Sequence, residues 1–406
     1  MTKRTVAVFT GNRAEYCLQY PILRAIDEHP ELDYKLLVSG AHLDSNFGHT
    51  IDEINADGFH IDAEVEIDMD AASLFATAQA IGSGIISISK VLAEVKPDIM
   101  VVYADRFEGF SAVIASSQMN IPTAHIEGGD ITEGGALDDS VRHAMSKLSH
   151  IHFTTNQQAS NRILAMGEEP WRVHTVGFPA IDLIMEENFA DENEVCEKLG
   201  LVLNRPVVLF TQHSVTTEFE QAAAQLQPTL QVLEHLAGEG IQIILTYPNN
   251  DAGGSAIAKE LETLAAKNVP NMQLHRSLGR HLYHGVLALA RKSSNRIACA
   301  GNSSSGIKDT PAFGCPTVNI GSRQKGRLRG NNVLDADYDY SEIESTIKRC
   351  LFDEDFRKLC RTAENPYYMG GAGNKIAEQL AAVSLDQKLL RKGMTLNGEV
   401  KDGWYR

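Results

Sequence analysis

Val207–His213 reads VVLFTQH: five apolar or β-branched residues without a break, then a polar pair. A run this short, with no polar alternate, is the pattern of a strand buried on both faces of a parallel sheet. The same order opens the chain at Thr5–Thr10 (TVAVFT), before Gly11-Asn12-Arg13-Ala14-Glu15. Val207 therefore marks a restart.

Around these two runs the chain keeps one rhythm. Tyr34–Val38, Ile99–Tyr103 (IMVVY) and Thr123–Ile126 follow the first run. Ile241–Thr246 (IQIILT), Ile297–Ala300 and Thr317–Ile320 follow the second. Each gives way to a glycine or polar turn and then a helical stretch, as parallel strands with crossover helices require. A polar stretch, Met185–Asn204, separates the two series. The expected fold class is α/β, with two doubly wound Rossmann-type domains over 1–178 and 179–380. Their linker is placed near Gly177–Ala180. Asn374–Val383 reads as a late helix, and a tail over 381–406 is expected to pack back on the first domain.

A chain of 406 residues suits two domains of ordinary size. Net charge is −16, which disfavours a nucleic-acid scaffold or an anionic membrane as partner. Six cysteines, Cys17, Cys196, Cys299, Cys315, Cys350 and Cys360, show no paired spacing. That points to a reducing compartment and away from a disulfide or zinc framework. The N-terminus lacks the apolar stretch of a signal peptide, and no run is read as long enough to span a membrane. A cytoplasmic, soluble protein is expected, with neither nucleic acid nor membrane as partner.

Open α/β sheets bind ligands beyond the carboxyl ends of their strands. The residues just there are polar: Gly11–Glu15, Asp105-Arg106 and Glu127-Gly128-Gly129-Asp130 in the first half. In the second they are Gln212-His213, Asn249-Asn250-Asp251, Gly301–Gly306 (GNSSSG) and Ser322-Arg323. Seven such loops predict an interdomain cleft. GNSSSG suits an anion, because small residues let backbone N–H groups and hydroxyls approach and a following helix adds positive potential. It is neither a Walker A loop nor a G-x-G-x-x-G fingerprint, so ATP and NAD are disfavoured. In Ser322–Gly330 (SRQKGRLRG), Arg323 directly follows a strand and is favoured as the ligand contact. Lys325, Arg327 and Arg329 are expected to be solvated.

His125–Asp139 (HIEGGDITEGGALDD) gathers Glu127, Asp130, Glu133, Asp138 and Asp139. Like-charge crowding of this kind raises a carboxyl pKa, as general acid–base work needs. No histidine–cysteine spacing makes a metal site, and neither a metal nor another cofactor is expected. His143, His281 and His284 read as ordinary core or surface histidines, whereas His213 follows a strand end.

GNRAEY, ADRFEG, HIEGGD, DDSVRHAMSKL, QHSVTT, PNNDAG and GNSSSGIKDTPAFGCPTVNIGSRQKGR occur in that order. Together, over roughly residues 4–385, they closely resemble the hydrolysing UDP-N-acetylglucosamine 2-epimerases of sialic-acid biosynthesis. Relatives acting on the 2,4-diacetamido sugar of legionaminic-acid biosynthesis look much the same. The resemblance implies a GT-B-like architecture and conversion of UDP-N-acetylglucosamine to N-acetylmannosamine and UDP through a 2-acetamidoglucal. It places Arg13, Arg106, His213, Asn249, Ser303, Ser304 and Arg323 around the nucleotide diphosphate. Asp309 falls where the family usually has a glutamate for the ribose. Asp105, Glu127, Asp130 and Asp138 stand at the catalytic carboxylate positions, with His213 beside them. A homo-oligomer, dimer or tetramer, is expected. A GT-B glycosyltransferase, a non-hydrolysing epimerase and a non-catalytic nucleotide-sugar sensor stay open as alternatives.

Overall fold

The computed structural model describes residues 3–43, 50–67, 74–132, 137–248 and 253–396. It divides into two compact units. Unit 1 is Met1–Ile131, Asp138–Asp182 and Tyr367–Arg406; unit 2 is Thr132–Leu137 and Leu183–Pro366.

Unit 1 is built on a parallel sheet of β1 (Arg4–Thr10), β2 (Leu32–Ser39), β3 (Ile61–Val65), β4 (Ile99–Tyr103), β5 (Thr123–Ile126), β6 (Ile151–Thr154) and β7 (Val173–Thr175). Their order is β3-β2-β1-β4-β5-β6-β7. Val6 and Val8 of β1 lie opposite Ile99 and Val101 of β4. Between these strands the direction of winding reverses, which opens a crevice at their carboxyl ends. Ala7, Phe9, Met100 and Val102 are buried against Ile88 and Leu92 of the crossover helix Leu74–Val95. That helix corrects one expectation. By length and composition Phe75–Val95 is apolar enough to cross a membrane, with mean hydropathy 1.3. Its inner face is part of the unit 1 core.

Unit 2 repeats the plan with β8 (Val207–Thr211), β9 (Gln242–Thr246), β10 (Met272–His275), β11 (Ile297–Gly301), β12 (Thr317–Ile320) and β13 (Val333–Ala336). The order is β10-β9-β8-β11-β12-β13, all parallel. One face is covered by a cluster around Phe210, Leu233, Leu261 and Ile347, the other by one around Leu209, Val286, Leu287 and Phe313. Burial on both faces is why these strands read as unbroken apolar runs.

The chain passes between units inside the helix Ala180–Met185 and returns at Tyr367, earlier than a boundary after residue 380. The reason is local. The carboxylate of Asp182 accepts from the backbone N–H groups of Ala372 and Gly373 at 3.0 and 2.8 Å, and so caps the helix Ala372–Ala382 from elsewhere in the fold. Gly373 then lies so close to the helix Arg13–Glu28 that a Cβ would come within 2.5 Å of the Pro21 carbonyl oxygen. Farther on, buried Arg172 donates to the carbonyls of Lys388, Leu389 and Arg391. Lys392 pairs with Glu168 at 2.9 Å. Residues 397–406 of the expected tail lie outside the described residues.

Candidate functional site

In unit 1, Asn12 caps the helix Arg13–Glu28 by accepting from the Glu15 N–H at 3.1 Å. The Glu15 carboxylate turns back to accept from the Gly11 N–H at 3.0 Å. Gly11 has to be glycine, since a Cβ would lie 2.7 Å from that of Glu108. Glu15 and Glu108 are both buried. Burial, and then the charge of Glu108, hold the Glu15 carboxyl up to about 8 against the pull of the Gly11 bond and Arg106. Arg13 is half-buried and ion-paired with Glu53 at 2.8 Å. Arg106 approaches Glu108 at 3.6 Å.

The turns after β4 and β5 leave the sheet abruptly. Ala104 donates its N–H to the Ile126 carbonyl and Glu127 to that of Phe153, each adding one rung to the ladder. Both then take left-handed φ, +53° and +65°. For residues with a Cβ this is strained backbone of a kind that clusters at functional sites. His125 locks the two turns together, donating from Nε2 to the Ala104 carbonyl at 2.7 Å while Nδ1 faces the Ser146 hydroxyl at 3.0 Å. Its complete burial lowers the pKa to about 3, so the ring is neutral. Gly129, at φ +74°, runs against the Ala159 carbonyl, which a Cβ would meet at 2.3 Å.

These turns deliver Asp105, Glu127 and Asp130 to one buried cation. Arg142, on the helix Leu137–Leu148, donates to Asp105 and, at 3.1 Å, to Asp139. Burial works against its charge, but Asp105, Asp130, Glu127 and Asp139 outweigh it and raise the Arg142 pKa further. Glu127, Asp130 and Asp139 are buried, while Asp138 is half-buried on the first turn of the helix. The carboxylate next to it in sequence, Asp139, is the one that joins Arg142. Sequence reasoning singled out neither as a pair. The Asp139–Arg142 spacing of three residues on a helix was the available signal. Glu133 lies outside the described residues.

In unit 2, His213 is buried and its backbone is gripped by Asn302. The His213 N–H donates to Asn302 Oδ1 at 2.7 Å, and Asn302 Nδ2 donates to the His213 carbonyl at 2.9 Å. Asn302 was not singled out from sequence. Gly301 has φ +118°, and a Cβ there would lie 2.0 Å from the Thr211 carbonyl oxygen. This close approach sets up Ser303 and Ser304, both half-buried. The helix after them is only Ser305–Lys308, and a second short one, Thr310–Phe313, starts at Pro311. The expected helix is thus cut short by a proline. Asp309 sits at the joint and accepts from the Ser305 hydroxyl at 2.6 Å. His284, expected to be an ordinary core histidine, reaches Asp309 at 3.5 Å. Asn249 lies outside the described residues.

Arg323 is half-buried and donates to the Asn302 carbonyl at 3.2 Å. Lys325 is exposed and Arg329 pairs at the surface with exposed Asp335; the departure from the solvated reading is Arg327. Arg327 is buried, bonded to Gln324 and to Thr132. Among the described residues one trio could approach a metal, His235, Glu239 and Glu344 on the surface of unit 2, but Lys348 already bridges both glutamates at 2.9 and 2.8 Å.

Residues 24–381 match the family described as UDP-N-acetylglucosamine 2-epimerase. The chain is 31% identical to the hydrolysing UDP-N,N'-diacetylbacillosamine 2-epimerase of Legionella pneumophila, over 96% of this chain and 98% of that protein. It is also 31% identical to a UDP-N-acetylglucosamine 2-epimerase of Neisseria meningitidis, over 85% of this chain and 87% of that one. A crystal structure of UDP-N-acetylglucosamine 2-epimerase from Neisseria meningitidis, bound to UDP-N-acetylglucosamine, superposes with a TM-score of 0.77 over 93% of this chain and 99% of that one. At 20% identity this last likeness is one of fold, two Rossmann-type domains of GT-B-like kind.

Proposed function

Because the chain belongs to the UDP-N-acetylglucosamine 2-epimerase family, we propose that it is a hydrolysing nucleotide-sugar 2-epimerase. The observation that carries this reading is buried Arg142 beyond β4 and β5, bonded to half-buried Asp105 and held further charged by buried Glu127 and Asp130. One of these carboxylates takes the C2 proton as the C1–oxygen bond breaks, and the electron pair leaves on the UDP β-phosphate. Arg13, Arg106, Ser303, Ser304 and Arg323 are assigned to that developing charge, with Asn249 beside them. Asp309 is assigned to the ribose, and His213 to the boundary of sugar and diphosphate. Water, giving one proton to a carboxylate, then adds its oxygen to C1 of the 2-acetamidoglucal, and a carboxylic acid returns a proton to the opposite face of C2. Asp130 and Asp138 are assigned to hydration, Asp105 and Glu127 to C1–C2.

UDP-N-acetylglucosamine, giving N-acetylmannosamine for sialic-acid-type sugars, is the substrate read from sequence. The name of the Legionella relative favours a second reading, the same reaction on UDP-N,N'-diacetylbacillosamine. That no disulfide joins the six cysteines supports a cytoplasmic setting. A homo-oligomer belongs to the same proposal, and light scattering tests it. The deciding experiment offers both sugars and GDP-N-acetylglucosamine in D₂O and follows products by NMR. Expected are free UDP and a free sugar with inverted C2 carrying one deuterium there. A sugar released with its original C2 configuration would sink the epimerase reading.

A further inference from the structure

Arg327 is a buried guanidinium whose fork spans two segments far apart in sequence. Nη1 donates to Gln324 Oε1 at 2.9 Å, and Nη2 donates to the Thr132 hydroxyl, also at 2.9 Å. Gln324, itself fully buried, donates onward to the Asn302 carbonyl at 2.8 Å. Asn302 holds His213 by both of its backbone groups. His213, Asn302, Gln324, Arg327 and Thr132 thus form one unbroken run of hydrogen bonds inside unit 2, every member nine-tenths or more buried. One end fixes the backbone that presents His213 and precedes Ser303-Ser304. The other ends on Thr132, the second residue after Asp130 in the chain.

Burying an arginine this way costs several kcal/mol of desolvation unless its donors are met. A solvated loop gives no reason to accept that cost. Lysine could not replace it, because one ammonium cannot present two parallel donors in a fixed fork.

We propose that Arg327 is a positioning residue, which through Gln324 and Thr132 holds the segment following Asp130 in register with the His213–Asn302 backbone. This rests on the epimerase reading above. Arg327 touches no reacting atom in this scheme; it holds Thr132, two residues beyond Asp130.

The test compares Arg327→Gln, Thr132→Val, Thr132→Ser and the double variant Arg327→Gln/Thr132→Val with wild type, on UDP-N-acetylglucosamine and its 2,4-diacetamido analogue. Turnover is expressed per UDP-binding site counted by calorimetry, so that unfolded molecules drop out. Misplacing a catalytic segment by about an ångström costs roughly 10²-fold, so Arg327→Gln should lose about 10- to 100-fold in kcat while UDP affinity stays within about twofold. Thr132→Val should show a loss of the same kind, Thr132→Ser should recover it, and the double variant should be no worse than Arg327→Gln alone. Losses that multiply in the double variant, a loss confined to UDP affinity, or an unchanged kcat in Arg327→Gln would each overturn the assignment while leaving the epimerase reading intact. A wild type inert on both sugars removes that reading and this inference with it.

Discussion

Glu15 occupies the first turn of a helix, where a carboxylate is ordinarily welcome and ionised. Here burial and Glu108 hold its carboxyl up to about 8 from an ordinary 4.5. A proton bound more tightly in the fold than in the unfolded chain stabilises fully below the lower value, and that contribution is lost as pH rises through the upper one. Glu15→Gln, which keeps an acceptor for the Gly11 N–H, should therefore gain in melting temperature relative to wild type between about pH 5 and about pH 8. A difference that stays flat with pH would mean Glu15 is ionised throughout. Asp138 and Asp139 make a second contrast. Asp138→Asn removes a group assigned to hydration and should cost about 10²-fold in turnover with little change in melting temperature, whereas Asp139→Asn loosens buried Arg142 and should lower both. Asp138→Asn with full turnover would remove Asp138 from hydration. Asp105, Glu127 and Asp130 were legible in the sequence because a strand end betrays where its next residues point. Arg142 was not, and Asp139 reads only as one of an acidic cluster, because which face of a helix meets the sheet is settled by packing that no local pattern records.

The same division holds among the strands. β1, β4, β8 and β11, central and buried on both faces, stand out as apolar runs. β3, β10 and β13 were missed. They lie at or next to sheet edges and are partly exposed, so their composition is mixed. β7 is only three residues long, too short to carry a period, and the four residues of β6 (IHFT) are interrupted by a histidine. The loop after β11 reads as a tight glycine turn, and Pro311 limits the helix beyond it, which is broken into two short pieces. Gly301 is where that turn is most demanding. Gly301→Ala puts a Cβ against the Thr211 carbonyl at a left-handed φ and should destabilise unit 2 by about 1–3 kcal/mol. It should also weaken UDP binding, because Asn302, Ser303 and Ser304 shift with it; calorimetry and thermal melting measure both. Unchanged UDP affinity would remove this turn from the nucleotide site.

Unit 1 is discontinuous in the chain, and its closing segment is held by few contacts that matter greatly. Arg172 is wholly buried and spends three hydrogen bonds on carbonyls between Lys388 and Arg391. A chain ended after Leu385 would leave that guanidinium with Glu169 and the His150 carbonyl but without those three acceptors, and a lost hydrogen bond to a charged group costs about 1.5–3 kcal/mol. The first unit should then melt roughly 5–15 °C lower while calorimetry still finds UDP bound to the second. A truncated protein that melts with wild type would show that the segment is ornamental. The discontinuity also sets an order of events during synthesis. As the chain leaves the ribosome, nearly all of unit 2 has emerged before Asp182 can meet the N–H groups of Ala372 and Gly373. Until then the side of helix Arg13–Glu28 around Pro21, where Gly373 will seat, stays uncovered in the nascent chain. Until Gly373 seats, that newborn surface gives a chaperone reason to keep its hold.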